Sequence, residues 1–246
     1  MNQRIALIIA ATLLASPAAF ASGTAQWKYS GHEGPEHWGE LAPEFAACAK
    51  GVNQSPIDLK GAIEADLPPI KFDYASQASE ILNNGHTIQA NFAPGSTIKV
   101  DGMAFELKQV HFHAPSENLI NGKSYPLEGH LVHANKDGHL AVVAVMYDTG
   151  KANAGLAALW KQMPAEAGSP VALAAKVKGK DLLPARRDYY RFNGSLTTPP
   201  CSEGVRWLVM KDPVTASRAQ IEQFSHVMHH PNNRPVQPVN ARPVLQ

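Results

Sequence analysis

Gln109-Val110-His111-Phe112-His113 and Glu128-Gly129-His130-Leu131-Val132-His133, separated by fourteen residues, bring three histidines to one point if both segments are strands. In a strand successive side chains point to opposite faces, so Gln109, His111 and His113 share one face and Val110 and Phe112 the other. In the second segment Glu128, His130 and Val132 share a face, and Gly129, Leu131 and His133 take the opposite one. Three neutral imidazoles with a fourth position left for water are one recurring form of catalytic zinc site, whereas structural zinc is usually closed by four protein ligands with cysteines among them. The spacing therefore predicts one Zn2+ held by His111, His113 and His130, with His133 facing the wrong way to close the set. Gln109 and Glu128 stand where they can accept the second imidazole N–H of their neighbours, which fixes ring and tautomer. A lone His-x-His is more often a satisfied surface pair; the Glu-x-His on a second apolar strand turns the reading to metal.

The elements that must carry these residues are short, apolar and β-rich, with glycine and proline between them: Gly85–Phe92, Ser96–Val100, Ala104–His113, Gly129–Ala134, Leu140–Tyr147 and Val205–Met210. Helical periodicity is confined to Ala154–Met163, with Leu156, Leu159, Trp160 and Met163 on one stripe, and to Ala219–Met228, opened by a capping box from Ser217 to Gln220. Both helices are expected on the outside of the sheet. The chain from Pro231 onward carries four prolines and is expected as an extended wrap.

Residues 1–21 read as a secretory signal: Arg4 supplies the positive start, Ile5–Ala15 the apolar core, and Ala19-Phe20-Ala21 the small-x-small cleavage site, so the mature chain is expected to begin at Ser22. The apolar run of about 11 residues is too short to span a bilayer comfortably. The remaining 225 residues (246 less 21) suit one domain, residues 22–246, without linker or repeat. Subtracting Arg4 from 22 basic residues leaves 21 against 21 acidic ones, and no like-charge run exists, which argues against nucleic acid or an anionic membrane as partner. An exported chain meets an oxidising compartment, the periplasm or beyond, so Cys48 and Cys201 are predicted to be bonded. Closing a loop of about 150 residues contributes about 4 to 5 kcal/mol in the chain-entropy model.

Three further fragments, Asn53-Gln54-Ser55-Pro56-Ile57-Asp58, Asn83-Asn84-Gly85-His86 and Gly194-Ser195-Leu196-Thr197-Thr198-Pro199-Pro200-Cys201, join the histidine strands and Gly34-Pro35-Glu36-His37-Trp38. In this order they resemble an α-class carbonic anhydrase of the bacterial, exported kind, from Trp27 to Asn233-Arg234-Pro235. The resemblance implies an α/β, β-dominated single domain around a central, mostly antiparallel twisted sheet of about ten strands, with peripheral helices and zinc at the bottom of a conical cleft. It implies zinc-dependent reversible hydration of carbon dioxide to bicarbonate and a proton, by attack of zinc-bound hydroxide and histidine-assisted proton transfer to buffer.

Carried over by motif, Thr197 touches the zinc hydroxide and Glu117 touches Thr197. An ionised Glu only accepts, so Thr197 must donate its proton to Glu117 and accept from the hydroxide. Val132, Val142, Leu196, Val205 and Trp207 match the family's apolar wall for carbon dioxide; only Val132 follows also from its face on the strand. His86 matches the proton shuttle, since an imidazole titrates near neutrality, with a water path lined by Tyr29, Asn84, Gln89 and Thr198. The implied partners are small molecules, carbon dioxide, water and bicarbonate, and bacterial members suggest a homodimer. Asn118 stands after Glu117 where many relatives carry histidine, and Ala114 after His113 where animal members carry tryptophan; both bear on tuning and not on the reaction. The competing readings are a non-catalytic binding module of the same family, which would typically lack a zinc histidine, and a zinc esterase, for which a narrow apolar wall leaves little room.

Overall fold

The computed structural model describes residues 25–246; the predicted signal, residues 1–21, lies outside them. Two short helices, α1 (Trp38–Leu41) and α2 (Ala47–Lys50), precede β1 (Asp58–Leu59), β2 (Lys71–Tyr74), β3 (Ala78–Asn83), β4 (Ile88–Phe92) and β5 (Ser96–Val100). The histidine strands follow as β6 (Met103–His113) and, after β7 (Leu119–Ile120), β8 (Leu127–Ala134). The chain continues through β9 (Leu140–Thr149), α3 (Ala154–Trp160), β10 (Val171–Ala172), β11 (Tyr189–Ser195), β12 (Glu203–Met210), β13 (Val214–Ala216) and α4 (Arg218–Met228). Eleven strands form one sheet whose spine runs β10-β3-β4-β6-β8-β9-β12-β11, with β5 also on β6, β2 on β5 and β13 on β9. Its pairings are antiparallel except β12 and β13 on β9. The expected β-dominated architecture is thus present, at eleven strands instead of about ten.

The sheet separates two apolar layers, and strand alternation decides which residue joins which. Along β9, Ala141, Val143, Val145 and Tyr147 enter one layer, which the two longer helices cover with Leu156, Leu159, Trp160, Phe224 and Met228. Val142, Ala144 and Met146 enter the other, with Val205, Trp207 and Val209 of β12. Fully burying one such aliphatic side chain is worth about 1.5–3 kcal/mol, and because a one-residue slip would send each layer's side chains into the other, where volumes and partners differ, packing in both layers fixes the register.

A bulge sets the phase of the histidine strand. The β6–β8 register shifts between Leu107 and Gln109, and the extra residue moves the alternation by one. Phe105 and Leu107 before it, and Val110 and Phe112 after it, therefore share the helix-covered layer. Gln109, His111 and His113 are left on the opposite face.

Several sequence expectations change in detail. Strand β4 begins at Ile88 and not Gly85, because Gly85 has φ +85° and Asn84 Oδ1 accepts from the His86 and Thr87 N–H groups, closing a turn instead of extending a strand. Helix α3 stops at Trp160, short of Met163; its last residues close as single turns, Met163 N to Trp160 O at 3.3 Å, ahead of Pro164. The α4 capping box is as expected, Ser217 Oγ accepting from Gln220 N. The C-terminal wrap also holds, touching the body through Gln237 N to Pro56 O at 2.8 Å and a Leu245–Arg191 bridge. Cys48 and Cys201 form the predicted disulfide across 153 residues.

Candidate active site

His111 on β6 lies directly opposite His130 on β8, and His113 opposite Glu128. The ligand nitrogens of His111, His113 and His130 all fall within 4.8 Å of one another. Two of the rings have one nitrogen committed to a hydrogen bond. His111 Nδ1 bonds Gln109 Oε1 at 2.8 Å, and His113 Nδ1 bonds the Asn232 carbonyl at 2.7 Å. His130 Nε2 sits 3.0 Å from Glu128 Oε1, a close contact without a hydrogen bond. This leaves His111 Nε2, His113 Nε2 and His130 Nδ1 facing one another, with His113 Nε2 buried and partnerless. Burial drives all three imidazoles below their usual pKa, His111 and His130 furthest. Neutral rings with a lone pair toward a common point are the form that binds zinc; the donor set fits that ion.

Glu128 is fully buried and takes three hydrogen bonds: Glu117 N at 2.7 Å, Asn118 N at 2.9 Å and Asn118 Nδ2 at 2.7 Å. Burial raises its pKa, and the Asn118 and Glu117 donors pull it back. The residue that departs from the family pattern therefore has a definite task, fixing the carboxylate behind His130.

Glu117 is equally buried, 3.5 Å from His113 Nε2 through Oε2. Its Oε1 accepts from Arg234 N at 2.9 Å. Burial pushes this carboxyl well above its usual range, against the Arg234 N–H and the Thr197 hydroxyl. Thr197 thus stands close enough to act on Glu117, although no contact of full hydrogen-bond geometry closes onto Oε2.

The predicted wall residues gather in one layer: Val142, Val205 and Trp207 buried, Val132 and Leu196 partly so. Trp207 packs edge-on against His130, centroids 4.9 Å apart, and its Nε1 donates to Ser195 O. On the other side a cleft of about 130 Å³ joins Tyr29, Asn84, His86, Gln89 and Thr198 to His111 and His113. Every residue of the predicted proton path lines it. The Thr87 hydroxyl ties the His86 turn to β6, donating to Phe112 O and accepting from Phe112 N.

Sequence reasoning missed Asn232, which holds the site from three sides: its carbonyl on His113, its Oδ1 on Ala114 N, and its Nδ2 on the carbonyls of His86 and Phe112. It also missed Trp27, stacked on His86. Asn232 lies 119 residues from His113, and neither spacing nor periodicity links the two; the Asn233-Arg234-Pro235 segment beside it was the only pointer.

A sheet that brings three imidazoles together beside a cleft forms a candidate metal centre of an enzyme, and comparison with known proteins narrows it. The model of the eukaryotic-type carbonic anhydrase family matches residues 33–246. A carbonic anhydrase of Pectobacterium carotovorum is 51% identical over 97% of this chain and 98% of its own, and one of Neisseria gonorrhoeae is 46% identical over 98% and 95%. The solved α-carbonic anhydrase of Thermovibrio ammonificans, in complex with the inhibitor sulfanilamide, superposes with a TM-score of 0.89 at 52% identity, covering 91% of this chain and 100% of that one. The chain belongs to the α-class, or eukaryotic-type, carbonic anhydrase family, zinc enzymes that hydrate carbon dioxide.

Proposed function

We propose that the chain hydrates carbon dioxide reversibly to bicarbonate and a proton at the three-histidine centre, with one zinc held by His111 Nε2, His113 Nε2 and His130 Nδ1. The observation that carries this is the mutual approach of the three rings, the Nδ1 of His111 and of His113 each being hydrogen-bonded to a neighbour and the Nε2 of His130 lying 3.0 Å from the Glu128 carboxylate. Bound zinc acidifies water enough to supply an oxygen nucleophile near neutral pH, a property of this enzyme class in general.

The protein's own residues do the rest. Glu117, acceptor only when ionised, takes the Thr197 proton, so Thr197 meets the attacking oxygen as an acceptor and orients its remaining lone pair. Burial raises the Glu117 pKa against the Arg234 N–H and the Thr197 hydroxyl, and a cation held by the three histidines would favour its ionised form further. Val132, Val142, Leu196, Val205 and Trp207 offer an apolar resting place to a substrate that coordinates weakly. His86 passes the released proton to buffer through water lined by Tyr29, Asn84, Gln89 and Thr198, and the Tyr29 phenol, its pKa pushed up by burial, stays protonated along that path.

Stopped-flow hydration on protein of known zinc content tests the reading. Activity should track zinc, vanish on chelation and return with zinc, and sulfanilamide should inhibit. Full hydration by metal-free protein would overturn it. We also infer export with cleavage after Ala21, a reading the disulfide supports; a mature N-terminus other than Ser22 would correct it.

A further inference from the structure

We propose that Arg234 is a positioning residue for the hydration step: its guanidinium fastens its own backbone to a shelf beside the disulfide, so that its N–H is aimed at Glu117 Oε1. The inference rests on the role given to Glu117 above. Arg234 is 1% exposed, one of the largest fully buried side chains. Burial brings its pKa down to about 10, so it stays cationic at neutral pH. Among the described residues no carboxylate hydrogen-bonds its guanidinium, whose Nε is without a partner. Its Nη1 donates to Gln54 Oε1 and Ser55 O, both at 2.8 Å, and its Nη2 to Cys48 O at 2.9 Å. A buried cation spent on three neutral acceptors is an unfavourable way to fill space, which an apolar side chain would fill at lower cost. Its planar fork, however, can hold several fixed acceptors at once, as a lysine cannot.

The shelf is itself anchored to the strand that leads into Thr197. Gln54 Nε2 donates to Cys201 O and to Glu203 Oε1, both at 3.0 Å. Ser55 N donates to Ser195 Oγ at 2.9 Å, and Ser195 N donates to Ser55 Oγ at 3.1 Å, two residues before Thr197. Gly194 makes this closure possible, since a Cβ there would stand 2.1 Å from Ser55 Oγ. One shelf thus holds the approach to Thr197 directly and Glu117 through Arg234, and fixes their relative position. With Oε1 occupied by the Arg234 N–H, Oε2 is the oxygen left to face Thr197.

Arg234→Lys keeps the charge and loses the fork; Gln54→Leu removes one anchor and is the milder variant should the first fold poorly. At unchanged zinc content, kcat/KM for carbon dioxide should fall about tenfold in Arg234→Lys, the lower end expected for a lost supporting contact, and less in Gln54→Leu. The proton-transfer-limited kcat in dilute buffer should fall less than kcat/KM. Hydrogen exchange at the residue 234 amide should quicken in the zinc-free protein, while the Leu131 amide in the sheet keeps its protection. In a Glu117→Gln background the Arg234→Lys change should add little further loss. Wild-type kcat/KM with an unchanged 234 amide would overturn the proposal, as would a full additional loss in the Glu117→Gln background. If Glu117→Gln alone left hydration intact, the role of Glu117 would fall instead.

Discussion

The indole of Trp27 lies flat against the imidazole of His86, centroids 3.7 Å apart and planes 10° apart. Burial lowers the His86 pKa, and the neighbouring His230 adds to the shift. Removing the stacked ring in Trp27→Ala returns water to His86, so its pKa should rise toward the ordinary histidine value. Proton NMR titration of the His86 ring reads this directly; an unmoved midpoint would show that the stack contributes nothing.

His86→Ala should slow maximal turnover in dilute buffer and leave kcat/KM nearly intact, because the latter reports hydration before proton release. Added imidazole should restore much of the lost turnover. Equal losses in both constants, or no rescue, would reassign His86 to structure.

Zinc retention should depend on depth behind the ligands. Replacing His111, His113 or His130 by Ala should abolish binding. Glu128→Ala should weaken it by about 10- to 100-fold, and Asn118→Ala by less, because two backbone N–H groups still hold Glu128. Zinc off-rates measured with a chromogenic chelator would sink this order if Asn118→Ala exceeded Glu128→Ala.

Much of this was legible in the sequence because it is local. The three histidines sit on two strands with apolar partners, so alternation alone puts them on one face. The α4 capping box is likewise written in four consecutive residues. Seven of the thirteen strands were not legible. Four of them, Asp58–Leu59, Leu119–Ile120, Val171–Ala172 and Val214–Ala216, have only two or three residues, too few for alternation to register. Lys71–Tyr74 follows two prolines and is half exposed, Ala78–Asn83 breaks alternation with Ser79 and Glu80 both exposed, and Tyr189–Ser195 ends in Asn193-Gly194, which reads as a turn. The buttresses of the site were hidden for another reason. Asn232 and Arg234 reach His113 and Glu117 across 119 and 117 residues, and only the closed fold brings them together.

On the helix-covered face, His133 bonds Tyr74 at 2.7 Å, and burial brings its pKa down to about 3. Its folded value lies below the unfolded one, so unfolding takes up a proton between those two pH values. The stability it contributes is complete above pH ~6.5 and is lost, at about 1.4 kcal/mol per pH unit, as pH falls toward the folded value. A Tyr74→Phe/His133→Leu double variant, apolar on both sides, should unfold in urea with a shallower dependence between pH 6.5 and 4. An unchanged slope would refute the assignment.

The pairing of His111 opposite His130 makes the centre a checksum on strand register. Were β6 and β8 to pair one residue out of step, the two rings would point to opposite sides of the sheet, and only the His-x-His of β6 would remain. An ion gathered by all three nitrogens therefore binds the correctly paired chain alone and, by mass action, draws misregistered chains back toward it. Zinc supply during folding would then govern the yield of native molecules as well as their activity.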